Sequence, residues 1–180
     1  MSRVPPLDPT TLTAEQQRVA ATISGMRKNV RGPFTIWLRN PALAGHANAF
    51  GVALRDSKAL DRRLFELAVI TVCRAFTVQY AWSSHAPAAE AAGVAPEVIA
   101  AIRDNRDPDF KRSDERVAYD VASELMRTKD LRQATYDRAV EEFGVEGTVD
   151  LVSTLGYYAM VGIFLKSFGV PTPTGDTPLK

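Results

Sequence analysis

The chain is poor in the side chains that carry most metal and redox chemistry. Its 180 residues include one cysteine, Cys73, and two histidines, His46 and His85. A single cysteine excludes an intrachain disulfide and a Cys-x-x-Cys redox pair. One cysteine and two histidines, not at zinc-site spacings, make a poor ligand set, so no metal is expected. An excess of one charge sign is also missing. The 22 Lys and Arg and 21 Asp and Glu leave a formal net charge of +1, with the basic residues scattered along the chain. Without a basic stripe, nucleic acid is not an expected partner. No apolar run free of polar interruption has the length of a membrane span, and the first residues, Met-Ser-Arg-Val-Pro-Pro-Leu-Asp-Pro, contain no apolar signal core. The expected setting is cytoplasmic, without a membrane partner.

Sustained period-two alternation is absent as well, which argues against strands. What remains is helical patterning, and the reading is all-α: one domain over residues 1–180 with seven or eight helices. Residues 1–10 are Pro-rich and read as extended. Thr13 with Gln16 three residues on is a capping-box pattern for a helix to about Arg27. A turn at Asn29–Phe34 leads to a short helical piece at Thr35–Arg39. Asn40 and Pro41 then read as the cap and first turn of a helix carrying Leu43, Ala47, Phe50 and Leu54 on one face. Asp61 caps the next helix, with Arg62 and Arg63 expected to be exposed. A helix over Gln79–Ala92 contains Pro87, which should kink it near His85, and ends at Gly93. Helices over 96–103, 113–127, 132–143 and 146–168 follow, and residues 170–180 read as a loose tail.

One carboxylate is out of place in this pattern. Residues 64–76 read Leu-Phe-Glu-Leu-Ala-Val-Ile-Thr-Val-Cys-Arg-Ala-Phe, and Glu66 shares a helical face with Val69, Ile70 and Cys73. A helix apolar nearly all round is buried, and a buried carboxylate requires a partner, a raised pKa, or both. His85 follows nineteen residues later in Gln79-Tyr80-Ala81-Trp82-Ser83-Ser84-His85. Glu66 and His85 together make a candidate proton-handling pair. Alone, each has a structural reading: a buried ion pair for the acid, a satisfied core histidine for the base. His46, without acidic company, reads as structural or exposed. Cys73 reads as a small buried hydrophobe, because burial and a nearby carboxylate both oppose thiolate formation. Tyr80 and Trp82 are pocket candidates that could equally pack in the core. Arg39, after Trp37, could hold a substrate carboxylate or pair with Glu66. Tyr157 and Tyr158 could donate to a ligand or pack in an interface.

With these residues in view, the chain resembles the carboxymuconolactone decarboxylase-like superfamily, which includes alkylhydroperoxidase D. The landmarks are Gly32-Pro33-Phe34, Leu38-Arg39-Asn40-Pro41, Glu66-Leu67-Ala68, Gln79 to His85, Ala91-Ala92-Gly93 and Gly156-Tyr157-Tyr158. In the peroxidase branch a glutamate precedes a Cys-x-x-Cys-x-x-x-His segment. The resemblance puts that glutamate on Glu66 and the histidine on His85. It puts the two cysteines on Val78 and Ala81 and an intervening histidine on Tyr80. A related subgroup reads Tyr-Glu-Trp before its histidine, and its glutamate is Ala81 here. The resemblance implies an alkylhydroperoxidase D-like bundle and a homo-oligomer, trimer or hexamer. It also implies a cofactor-independent enzyme doing acid/base chemistry on a small carboxylated or lactone-like substrate. Glu66 and His85 would be catalytic, with Tyr80, Trp82, Arg39 and Trp37 around the substrate. The alternatives are a peroxidase-like antioxidant protein and a non-catalytic oligomeric binding protein.

Overall fold

The computed structural model describes residues 2–27 and 29–180. Eight helices follow one another: α1 (Ala14–Arg27), α2 (Phe34–Trp37), α3 (Pro41–Asp56), α4 (Arg62–Ala75), α5 (Gln79–Ala91), α6 (Pro96–Arg103), α7 (Ser113–Thr128) and α8 (Gln133–Phe168). Among the described residues there is no strand, as the missing alternation led us to expect.

The helix starts are where local chemistry puts them. Thr13 and Gln16 exchange the two bonds of a capping box. Asn40 accepts from the Leu43 amide and Asp61 from the Arg63 amide. α8 takes in the two helices expected at its position. They join at Gly144, whose φ of 67° lies in the left-handed region, and helical backbone resumes beyond it.

α4 is the axis of the molecule. Every residue from Leu64 to Cys73 is buried, and the helix packs against α5, α6, α7 and α8. A central helix surrounded on all sides needs an apolar surface all round, which is why its sequence lacks a polar stripe.

Four expectations are corrected. Leu43 and Phe50 are about half exposed while Ala47 and Leu54 are buried, so α3 buries a narrower face than its pattern suggested. Arg63 is not exposed: its guanidinium bonds Asp114 and Glu115 at 2.7 Å each, joining α4 to α7. The C-terminal residues are not loose. Gln79 donates its side-chain amide to the Leu179 carbonyl and accepts from the Leu179 amide, and the Leu179 side chain is buried. By length and composition α8 is apolar enough to cross a membrane, although half of its most apolar stretch is buried within the protein.

Candidate functional site

Glu66 is fully buried, and both of its oxygens are engaged. Arg62, one turn earlier on α4, donates to Oε1 at 2.5 Å, and His85 Nδ1 lies 2.7 Å from Oε2. The i, i+4 spacing puts Arg62 on the same helical face as Glu66, and its guanidinium lies 4.9 Å from the centre of the Phe65 ring. The two partners answer the requirement that a buried carboxylate be paired and hydrogen-bonded. An arginine on one oxygen keeps Glu66 an acceptor, so Nδ1–H is the donor toward Oε2. That assignment leaves Nε2 with its lone pair. Nε2 makes no hydrogen bond to any described residue, and the His85 side chain keeps 18% of its surface exposed. This is the arrangement in which a carboxylate fixes the tautomer of an imidazole and leaves its other nitrogen as a base.

His85 and Glu66 line a cavity of about 270 Å³. The wall over the pair comes from α8: Tyr157, Tyr158, Val161 and Leu165. The Tyr158 ring meets the imidazole edge-on at 4.9 Å. Opposite lie Tyr80, Ala81, Ser84 and Ala88 of α5, with Arg31, Pro33 and Phe34 before and within α2. Gly32 holds this corner together. Its φ is +59°, and a Cβ there would stand 2.6 Å from the Tyr80 ring, so only glycine lets the turn close over that ring. Burial pushes the Tyr80 phenol up, against a smaller opposing effect of Arg31. The Tyr158 phenol is pushed up chiefly by burial, so it too is a neutral hydroxyl at ordinary pH.

The charge is one-sided. Arg31, Arg55 and Arg62 line the cavity, and Glu66 is the only carboxylate among its lining residues. Glu66 is already bound to Arg62 and His85, so the remaining field favours an anion.

Three anticipated pocket residues lie elsewhere. Arg39 donates to the Pro5 carbonyl on the exposed side of α2 and pairs with no acid among the described residues; Arg62 fills the place beside Glu66. Trp37 is buried in an aromatic stack with Phe34 and Phe164. Trp82 is buried in the core, because on α5 it is turned about 200° from Tyr80 at 100° per residue. Tyr80 does line the cavity. His46 is exposed. Cys73 is fully enclosed, and burial, then the Glu66 charge, pushes its thiol far up, making it a poor nucleophile. Among the described residues no group of three or more His, Cys, Asp and Glu could hold a metal ion.

Residues 41–124 match the carboxymuconolactone decarboxylase family, a segment that holds both Glu66 and His85. The fold is that of solved proteins described as peroxidase-related or as a debrominase. An uncharacterized peroxidase-related protein with an alkylhydroperoxidase AhpD core, from Ralstonia eutropha JMP134, has a TM-score of 0.80 at 16% identity, covering 95% of this chain and 92% of its own. The family match covers a little under half of the chain, and the fold is that of the alkylhydroperoxidase D core. A cysteine-to-alanine variant of the debrominase Bmp8, in complex with 2,3,4-tribromopyrrole, has a TM-score of 0.75 at 15% identity over 99% of this chain and 96% of its own. An uncharacterized peroxidase-related protein from Silicibacter sp. TM1040 has a TM-score of 0.75 at 17% identity, over 93% and 90%. No curated protein matches the sequence significantly. In this chain, the places where the resemblance puts redox cysteines hold the buried side chains of Val78 and Ala81.

Proposed function

We propose that the protein is a cofactor-independent acid/base enzyme of the carboxymuconolactone decarboxylase type, acting on a small carboxylated or lactone-like carbon acid. The observation that carries this reading is the 2.7 Å contact between Glu66 and His85 Nδ1 beside a cavity walled by three arginines. Glu66 orients the imidazole, and Nε2 takes a proton from carbon or, as imidazolium, gives one to it. The arginines attract a substrate carboxylate and hold it through charge-assisted bonds. Of these, Arg31 forms no ion pair with any described residue and suits the role first given to Arg39.

The peroxidase-related descriptions of similar structures suggest thiol chemistry as the second reading. Peroxide reduction by a thiol needs an accessible thiolate and a resolving partner. The lone Cys73 is enclosed, with its thiol pushed up, so this reading has no nucleophile to work with.

The assembly belongs to the same proposal. Val145, Val149, Val152, Met160 and Ile163 form an exposed apolar row on α8 at steps of three or four, counted through the exposed Gly156 between Val152 and Met160. A row of that period is suited to packing against another helix, and it supports a homo-oligomer. Val149→Asp should lower the molar mass seen by light scattering; an unchanged mass would remove the row from the interface.

The function is tested by proton NMR in D₂O with a panel of small lactones and β-keto carboxylates. Wild type should incorporate deuterium or turn over at least one, and Glu66→Gln and His85→Ala should lose that activity together. Exchange unchanged by both substitutions would remove the pair from the mechanism.

A further inference from the structure

Moving a proton to or from carbon beside a carbonyl puts negative charge on the carbonyl oxygen, and a dry site must provide a donor for it. Neither Glu66 nor His85 can be that donor while the pair acts as described. Among the polar residues that line the cavity, Tyr158 has its ring packed against the imidazole. Its side chain is buried and stands edge-on to the His85 ring at 4.9 Å. Arg55, at the end of α3, also lines the cavity beside the Tyr158 phenol and acts to lower its pKa.

We propose that the Tyr158 hydroxyl is the oxyanion donor of this cavity, with Arg55 as the positioning residue that orients and polarises it, and that the substrate therefore presents a carbonyl adjacent to the reacting carbon. The inference rests on the acid/base reading of the same cavity and adds where the charge goes. A guanidinium that donates to the phenol oxygen occupies a lone pair there and turns the O–H toward the cavity. It also strengthens that O–H as a donor.

For a β-keto carboxylate the step balances without a further reactant. The bond from the α-carbon to the carboxylate carbon breaks and carbon dioxide leaves. The bonding pair forms the carbon–carbon double bond of an enolate, and the carbonyl π pair moves onto oxygen, where Tyr158 donates to it. The imidazolium at Nε2 then gives its proton to the α-carbon, the carbonyl is restored, and water reprotonates the imidazole. For a lactone the same donor holds the ring carbonyl while Nε2 removes the α-proton. The groups that set the field at Tyr158 are Arg55, Glu66, Tyr157 and His85.

The test uses 4-nitrophenol, whose ionised form is a flat oxyanion that absorbs visible light. Titrated into the full-length protein near its own pKa, it should bind to wild type as the phenolate and gain visible absorbance. Tyr158→Phe keeps the ring and loses the hydroxyl. It should weaken phenolate binding at least about tenfold, abolish the preference for the ionised form, and lower kcat about a hundredfold with little change in KM. Arg55→Gln should reduce the preference for phenolate, and Arg55→Lys should restore part of it; a merely structural Arg55 would leave it unchanged. Equal phenolate binding by wild type and Tyr158→Phe, or none by wild type, overturns the proposal. Preferential phenolate binding that depends on Tyr158 upholds the donor even if no compound exchanges deuterium, a result that counts against the functional reading alone.

Discussion

Two neighbouring arginines on α4 lead to two buried ion clusters of opposite character. Arg62 meets Glu66, and Arg63 meets Asp114 and Glu115. In the Arg63 cluster each acid is answered by a guanidinium: Arg112 adds to Arg63 on Asp114, and the Glu115 side chain is only 6% exposed. No histidine takes part, and neither acid lines the cavity beside His85. It ties α4 to α7. The Glu66 cluster contains the same acid–arginine pairing, but one of its oxygens goes to an imidazole whose second nitrogen has no partner among the described residues. A buried salt bridge therefore says little about function by itself. What separates the two is an unused proton-carrying atom beside open space.

The sharpest way to break this comparison is to show that both clusters matter equally to chemistry. His85→Ala and Glu66→Gln should each lower the rate of proton transfer by about 10²- to 10⁴-fold. Arg63→Ala should leave the rate per folded molecule nearly unchanged. Deuterium incorporation, normalised to the folded fraction, checks all three. Stability should reverse the order. Arg63→Ala strands the nearly buried Glu115 carboxylate, leaves Asp114 with Arg112 alone, and should cost about 3 kcal/mol in chemical denaturation, the lower end for breaking a buried pair; a loss under about 1 kcal/mol would show that the cluster is not a brace.

The acid limb of stability sharpens the structural side. Burial pushes the Asp114 carboxyl up, but hydrogen bonds from Arg112 and Arg63 more than offset this and hold it well below its usual 3.8. Glu124 is held down to about 2, first by Arg132 and then by Thr135. A carboxyl whose folded pKa is depressed adds stability that is present above its unfolded value and lost as pH falls through the folded one. For Glu124 that window runs from about 4.5 down to about 2. Unfolding midpoints should fall across it, and Glu124→Gln should flatten the slope. The smallest effect is expected at Cys73. Cys73→Ala should cost about 1 kcal/mol, leave proton transfer intact, and change no peroxide consumption; native Cys73 should resist alkylation until the protein unfolds.

Much of this was legible in the sequence because it is local. The capping box at Thr13, the caps at Asn40 and Asp61 and the wholly apolar α4 are decided within a few residues. Glu66 stood out as a charge where helical spacing allows none, and α5 brings His85 back to it. The Arg62 partner was within reach too, since an arginine four residues before a buried glutamate faces it. Arg31 and Arg55 could not be read out. They reach the cavity from the turn before α2 and from the end of α3, and only the packing of those elements on α5 and α8 brings them there. Arg39 was misleading for the opposite reason. It has the chemistry of a carboxylate clamp, but the N-terminal segment passes beside it and takes its guanidinium at the Pro5 carbonyl. Trp82 sits two residues from Tyr80, and that rotation alone sends it to the core.

The central claim is that Glu66 fixes the His85 imidazole with Nδ1 protonated and Nε2 free to act. Nitrogen-15 NMR of the imidazole in the full-length protein, above the pH at which His85 loses its charge, reads this directly. The account predicts a proton-bearing Nδ1 and an unprotonated Nε2, with that preference lost in Glu66→Gln. A neutral His85 carrying its proton on Nε2, unaffected by Glu66→Gln, would contradict it.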